Sequence, residues 1–339
     1  MANIYEVARR AGVSTATVSR VMSGQKSVVS AATRRRVLRA VEQLAYTPNA
    51  AAKNLRTLKT RKLLVTVPDI ANPFFALILQ GIEDAAQREG YAVLLGDTQH
   101  DPEREDRYAQ MLRRKEADGL IFLGHRLPAE AESIIASTAP PRCAPIVNGC
   151  EFSSTLGVPS VHIDNAKAAY EAMEYLYTLG HRRIAIVTGP LVSPLSRDRL
   201  RGATMCAKAH GIADRLVTVN GDFSIGSGVS AAERLLQART PPTAIFCFND
   251  EMAMGVIETA RRRNVRVPDQ VSVVGFDDIR FARHTDPPLT TVAQPMREIG
   301  EGCVRLLLEI LQGHTLDPVS VTLPHELTIR GSTKPPRSS

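Results

Sequence analysis

Apolar positions follow two different rules along this chain, and the change falls near residue 62. Over the first fifty residues they recur in helical steps. Ile4, Val7, Ala8 and Ala11 stand at i, i+3, i+4 and i+7, one face of a helix. Asn3 and Glu6 ahead of them have the spacing of a capping box, and Gly12 closes the segment. Ser14 suits the N-cap of a second short helix with Val18 and Val21 turned inward. A third helix is predicted from Ser30 to Thr33 onward, carrying Val37, Leu38, Val41 and Leu44 on one face. Two short helices joined by a tight glycine-containing turn, with a third as buttress, predict a helix-turn-helix.

From Lys62 the pattern becomes one of short apolar runs between helical segments. KLLVTVP, YAVLLGD, GLIFLG, PIVNGC and SVHID come first; RRIAIVTG, VTVNGDF, TAIFCF and VSVVGF repeat the scheme. Such alternation predicts parallel sheets in doubly wound α/β units. The scheme occurs twice, around residues 62–163 and 164–292. The predicted class is therefore an all-α helix-turn-helix head on an α/β body of two doubly wound parallel-sheet subdomains, with a ligand cleft between them.

Charge separates the same two parts. Residues 1–62 hold thirteen Lys and Arg against two acids, a balance of +11, whereas the rest carries −4. A basic end on an acidic body is the footprint of a nucleic-acid-binding head. This explains the stretch GVSTATVSRV, whose Ser, Thr and Val are mediocre helix formers. The second helix of such a unit enters the major groove of double-stranded DNA. With Val18 and Val21 inward, Thr15, Ala16, Thr17 and Arg20 face the bases. Short side chains permit close approach, a Thr methyl or Ala contacts a thymine methyl, and Arg20 can pair bidentately with guanine for about 1–3 kcal/mol of discrimination. Ser19 and Thr33 are placed for phosphates.

In open parallel sheets, ligands sit beyond the carboxyl ends of the strands. Reading those ends gives Asp69, Phe74 and Phe75, then Asp97, His125, Arg126 and Asp164, then Arg199, Phe223, Asn249, Asp250 and Asp277. Aromatic faces with carboxylates, an amide and an arginine suit a ring stacked on Phe while ribose hydroxyls meet donors and acceptors. For Asp69, His125, Arg126 and Asp164, a helix cap or ion pair is an equally good reading. His181 reads as a helix-end cap and not as a ligand.

Other chemistry is not in view. The five cysteines (143, 150, 206, 247 and 303) form no CxxC and read as reduced thiols of a cytosolic protein. No apolar run has membrane-spanning length and no signal peptide opens the chain, so a cytoplasmic location is expected. HExxH, GxSxG and Walker sequences are absent, and the eight histidines show no metal-ligand spacing. No enzyme, cofactor or metal is expected. Gly226, Gly228 and Ala231 have the GxGxxA spacing of a dinucleotide loop, but Asp222 to Ile225 intervene after the strand, so the tight turn is missing. The rival class is a periplasmic-type sugar-binding protein, which the basic head disfavours.

IYEVARRAGVSTATVSRVMSG, followed by VEQLAYTPNAAAKNLRTLKT, resembles the head and hinge of the lac repressor/purine repressor family. The similarity continues through VPDIANPFF, DGLIFLG, VHIDN, YLYTLGHRRIAIVTGP, PPTAIFCFNDEMAMG, VSVVGFDDI, PLTTVAQP and RGST. It implies a head over 1–47, a hinge over 48–61, and subdomains of periplasmic-binding-protein type made of 62–163 with 294–323 and 164–293 with 324–339. Asn49 to Arg56 is too short to be a stable helix alone. The resemblance implies that two such hinges order together on a palindromic operator. Leu55 then wedges into the minor groove, with Asn49, Lys53 and Arg56 on the DNA beside it.

The resemblance also implies that Phe74 and Phe75 lie over a ligand, that Arg199 and Asp277 grip sugar hydroxyls or a base, that Phe223 stacks and that Asn249 binds a hydroxyl. Purine-binding relatives use a basic and a hydroxyl residue just ahead of the arginine. Here Ser193 and Leu195 stand instead, which disfavours a free purine corepressor. VHIDN, GDF, DPPLTT, RGST and STATVSR resemble the cytidine repressor branch most, implying a ribonucleoside effector such as cytidine, with ribose or another sugar as the alternative. The tail GSTKPPRSS carries no leucine heptads, so a homodimer is expected. Whether the effector induces or corepresses, and whether a second transcription factor shares the promoter, stay open.

Overall fold

The computed structural model describes residues 2–22, 29–47, 59–138, 143–151, 157–314, 316 and 320–337. The chain divides into two units, residues 1–60 and 61–339. In the first, α1 (Ile4–Ala11), α2 (Thr15–Met22) and α3 (Ala31–Gln43) surround a small core. The capping box forms as the sequence requires: Asn3 Oδ1 accepts from Glu6 N at 3.0 Å, and Glu6 Oε2 accepts from Asn3 N at 3.1 Å. Gly12 ends α1 at φ +64°, a left-handed conformation that costs glycine little. Ser14 Oγ accepts from Thr17 N at 3.2 Å, and Ser30 caps α3 by accepting from Thr33 N. The core is Val7, Ala8, Ala11, Val18, Val21, Val37 and Ala40, with Val41 and Leu44 packed against it. Leu38 corrects the sequence reading, being exposed. It sits one residue, or about 100° of helix, from Val37, so the buried stripe runs through Ala40 instead.

The second unit holds two six-stranded sheets. The first comprises β1 (Lys62–Val67), β2 (Ala92–Asp97), β3 (Gly119–Phe122), β4 (Ile146–Gly149), β5 (Ser160–Ile163) and β11 (Ser320–Leu323) in the order β11-β5-β4-β3-β1-β2. The second comprises β6 (Ile184–Thr188), β7 (Val217–Asn220), β8 (Ala244–Cys247), β9 (Ser272–Asp277), β10 (Thr290–Ala293) and β12 (Glu326–Thr328) in the order β12-β10-β9-β8-β6-β7. Among the described residues only β12 runs antiparallel to its neighbour. Central strands such as β3 and β8 are buried throughout, which is why they read as continuous apolar runs without alternation.

Each sheet is flanked by its own helices. The first carries α4 (Pro73–Arg88), α5 (Pro102–Arg113), α6 (Ala129–Ser137) and α11 (Met296–Gln312). The second carries α7 (Asn165–Thr178), α8 (Pro194–Ala209), α9 (Ile225–Leu236) and α10 (Asp250–Arg262). The chain passes between the sheets after β5, after β10 and after β11. α11 packs on α4, and β11 pairs with β5 from Ser320 opposite Ser160 to Leu323 opposite Ile163. β12 returns to β10. The GxGxxA segment opens α9, and Gly228 is needed for packing: a Cβ there would lie 2.1 Å from the Met252 carbonyl oxygen of α10. His181 closes α7 as the sequence reading has it, its backbone N–H donating to the Leu176 carbonyl at 3.1 Å just after Gly180. It is buried, with Nε2 donating to the Lys334 carbonyl and Nδ1 against Thr243 Oγ1, both at 3.0 Å, and so fastens the C-terminal segment. Among the described residues no helix is long and apolar enough to cross a membrane.

Candidate functional site

The carboxyl ends of both sets of strands open on one cavity of about 790 Å³, within the usual range for a small-molecule site. It is lined by Asp69, Phe74, Phe75, His125, Arg199, Phe223, Asn249 and Asp277 of the sequence-predicted set. Asn72 caps α4, accepting from Phe74 N at 2.9 Å, and so places Phe74 and Phe75 at the start of the helix. Their rings meet edge to face, with centroids 5.2 Å apart. Phe223 occupies left-handed space at φ +72°, unusual for a bulky residue. Asn249 Nδ2 holds it by donating to its carbonyl at 2.7 Å, and its ring lies on Gly189, where a Cβ would fall 2.0 Å from Cζ. Asn249 Oδ1 in turn caps α10 at Met252 N.

Arg199 and Asp277 face each other at the cavity floor, Nη2 to Oδ1 at 3.8 Å, both almost wholly buried. Arg199 Nε donates to Asn165 Oδ1 at 2.8 Å, Nη1 donates to the Phe248 carbonyl, and the guanidinium lies 3.6 Å over the Phe276 ring centroid. Burial lowers its pKa to about 10, so it remains a cation at neutral pH. Asp277 Oδ1 accepts from Gln294 Nε2 at 2.7 Å. Burial pushes its carboxyl up, and Arg199 opposes that rise.

Three predicted carboxylates do not reach the cavity, and of these Asp97 accepts from Ile70 N at 3.3 Å and from Gln99 Nε2 at 3.0 Å. Asp164 caps α7, accepting from Lys167 N at 2.9 Å, and points to solvent. Asp250 is fully buried: Oδ1 accepts from Thr291 Oγ1 at 2.5 Å and Oδ2 from Ile279 N at 2.8 Å. It braces the loop after β9 and is held protonated-leaning by burial and by Asp277. Arg126 pairs with Glu105, Nε to Oε2 at 2.9 Å, outside the lining.

Sequence reasoning missed Glu151, two residues beyond β4. Its carboxylate crosses from the first subdomain to the start of α8 in the second. Ser193 Oγ donates to Oε1 at 2.9 Å and approaches Oε2 at 3.2 Å, and Leu195 N donates to Oε2 at 3.3 Å. Burial raises its pKa to about 7; the Ser193 and Leu195 hydrogen bonds and Arg199 limit the rise. Glu151 thus clasps the two subdomains across the cavity. Its signal was its place at a strand end, but its partners lie over forty residues away.

The lining is rich in acids. Asp69, Glu151, Asp222, Glu251 and Asp277 face Arg199, His100 and His125. Asp222 is held ionised by Ser224, which donates through Oγ at 2.6 Å and N at 2.9 Å. Burial lowers the His125 pKa, helped by His100, whose ring is 6.2 Å away.

In the first unit, Ala16 and Arg20 are exposed on α2, while Thr15, Thr17 and Ser19 are half-buried. Thr17 Oγ1 contacts Ser14 Oγ at 3.0 Å, and Thr33 Oγ1 accepts from Ser30 Oγ at 3.0 Å. The predicted hinge residues Asn49, Lys53, Leu55 and Arg56 lie outside the described residues.

Comparison with known proteins joins these two parts. Residues 3–49 match the family described as bacterial regulatory proteins, lacI family, and residues 173–333 match a periplasmic binding protein-like domain. The HTH-type transcriptional repressor CytR of Escherichia coli (strain K12) is 41% identical over 334 residues, covering 98% of this chain and 96% of that protein. Catabolite control protein A of Priestia megaterium is 38% identical over 98% of this chain and 99% of its own. The crystal structure of the lac repressor dimer bound to operator and the anti-inducer ONPF superposes with a TM-score of 0.87 at 30% identity, covering 98% of this chain and 99% of that one. A LacI family regulator from Enterococcus faecium with bound ribose gives a TM-score of 0.70 at 28% identity over 81% of this chain and 99% of that one. A helix-turn-helix head and a two-subdomain effector-binding body, matched along nearly their whole length, place this chain in the lacI family of bacterial regulatory proteins as a DNA-binding transcriptional repressor and not an enzyme.

Proposed function

We propose that this repressor is a cytoplasmic homodimer whose grip on a palindromic operator is set by a ribonucleoside such as cytidine bound between its two subdomains. The observation that carries the reading is the cavity itself. Phe74, Phe75 and Phe223 supply aromatic faces, while Arg199, Asp277 and Asp222 supply hydroxyl partners in about 790 Å³. That volume is generous for a pentose alone and suits a pentose with an attached base. The acid surplus weighs against a nucleotide, whose phosphate would meet Asp69, Asp222 and Glu251. The similarity to CytR supports the same class.

On DNA, Thr15, Ala16, Thr17 and Arg20 read bases, and Ser19 and Thr33 hold phosphates. Asn49, Lys53, Leu55 and Arg56 serve the hinge at the operator centre. Effector and operator are then linked reciprocally: whatever the effector does to operator affinity, the operator does to effector affinity. Fluorescence anisotropy on a palindrome selected from random DNA tests this, titrating cytidine, uridine, adenosine, inosine, ribose and hypoxanthine. A nucleoside response that Asp277→Ala and Phe223→Ala abolish supports the proposal. A response to ribose alone moves the effector to the sugars, the class bound by the Enterococcus relative. Tightening by hypoxanthine makes it a purine corepressor.

A further inference from the structure

Outside the cavity, α7 and α8 bring three metal-ligand side chains together. Cys206 and His210 are one helical turn apart at the end of α8, on the face that meets α7, and Glu174 approaches from α7. His210 Nε2 lies 2.5 Å from Glu174 Oε2, and Cys206 Sγ lies 3.6 Å from the same oxygen. All three donor atoms fall within 4.8 Å of one another. None of these residues lines the effector cavity.

We propose that Glu174, Cys206 and His210 form a site for a zinc-type divalent cation, with solvent water as fourth ligand. A thiolate, an imidazole and a carboxylate are the donor types that a borderline-soft cation takes. Tetrahedral zinc with ordinary bond lengths sets its donor atoms roughly 3.3–3.6 Å apart. The sulfur–oxygen separation already meets that spacing. The imidazole–carboxylate pair must open by roughly 0.8 Å, which the half-exposed Glu174 side chain can supply by rotation. His210 is held for the purpose: its ring stacks on Tyr177 at 3.8 Å between centroids, tilted by 18°.

Access is one-sided. Cys206 is fully buried, whereas the His210 and Glu174 side chains are 24% and 40% exposed. The cation therefore enters from the Glu174 side and keeps its water there. With no cation, burial and Glu174 hold the Cys206 thiol at about 12, so binding must expel its proton. Sequence spacing concealed the site because two ligands lie on one helix and the third on another.

Cobalt(II), titrated into the chelator-treated full-length protein, provides the test. The expected result is one cobalt per chain, a near-ultraviolet thiolate-to-cobalt charge-transfer band, and its loss on adding zinc(II). Cys206→Ser should remove the band and Cys143→Ser should keep it. Glu174→Gln and His210→Gln, on the accessible side, should each weaken binding by about tenfold or more. Circular dichroism checks that each variant is folded. Absence of saturable cobalt binding, or a band unchanged in folded Cys206→Ser or in both accessible-side variants, overturns the proposal.

Discussion

Glu151→Gln isolates the clasp between the subdomains. The side chain keeps its size and one acceptor oxygen for Ser193 or Leu195 N, the other oxygen becomes an amide donor much as in the protonated carboxyl, and the ionisable proton is lost. Burial raises the Glu151 carboxyl from 4.5 to about 7, so the folded body binds a proton that the unfolded chain releases above 4.5. Folding thus takes up a proton between those values. Stability from this group is fully retained below about 4.5, falls as pH rises toward 7, and is lowest above 7. The rise to about 7 corresponds to about 3 kcal/mol at about 1.4 kcal/mol per pH unit. That figure is a ceiling, because opening the clasp lets water reach the carboxylate before the body unfolds. Thermal melts of both proteins from pH 5 to 8.5 read it out. Glu151→Gln should melt several degrees higher at pH 8, and the two curves should converge near pH 5, where Glu151 is itself neutral. A gap that does not change with pH, or a variant less stable at pH 8, would refute the buried-carboxyl reasoning.

Four further outcomes are expected. Arg20→Ala should relax selection at one operator position by about 1–3 kcal/mol, read by competition binding across single-base variants. Leu55→Gly should abolish tight operator binding yet leave effector affinity intact by calorimetry; unchanged operator affinity would remove the wedge. Operator affinity should fall by about 10³–10⁵ between 50 and 200 mM salt if about 6–10 phosphates are contacted, and a flat response would deny the electrostatic head. Gly228→Ala must push a methyl against the Met252 carbonyl, 2.1 Å from an ideal Cβ. It should cost about 1–3 kcal/mol in urea unfolding.

What the sequence made legible depended on how local each signal was. The capping box of Asn3 and Glu6, the left-handed Gly12 and the inward Val18 and Val21 are set by neighbours within a turn or two, and the head follows from them. The doubled sheet order is likewise written in the repeated strand–helix alternation. Leu38 escaped because a hydrophobic residue at the edge of a helical stripe looks like one at its centre. Strand-end position placed Asp69 and Asp277 at the cavity, but the same rule also selected Asp97, Asp164 and Asp250. A carboxylate after a strand serves equally as a helix cap or a loop brace, and only backbone geometry separates these uses. Glu151 and the Glu174, Cys206 and His210 trio depend on partners from distant segments, and no periodicity announces such meetings.

The clasp bears on how an effector acts. Phe74 and Phe75 belong to one subdomain, and Arg199, Phe223 and Asp277 to the other, so a ligand filling the cavity touches both. Touching both is not enough to regulate: a ligand shifts an equilibrium only by its difference in affinity between the two arrangements. Glu151 already joins the subdomains through Ser193 and Leu195, which gives the arrangement with the clasp made an energy of its own. A ligand whose hydroxyls compete for Ser193 or Glu151 must break that bond and favours the arrangement without it. A ligand seated on Phe223 and Asp277 that leaves the clasp alone adds to it. Two effectors of equal affinity are therefore expected to drive this repressor in opposite directions if only one of them contacts Glu151, and operator anisotropy on Glu151→Gln checks it: an effector response of unchanged sign and size in that variant refutes the role of the clasp.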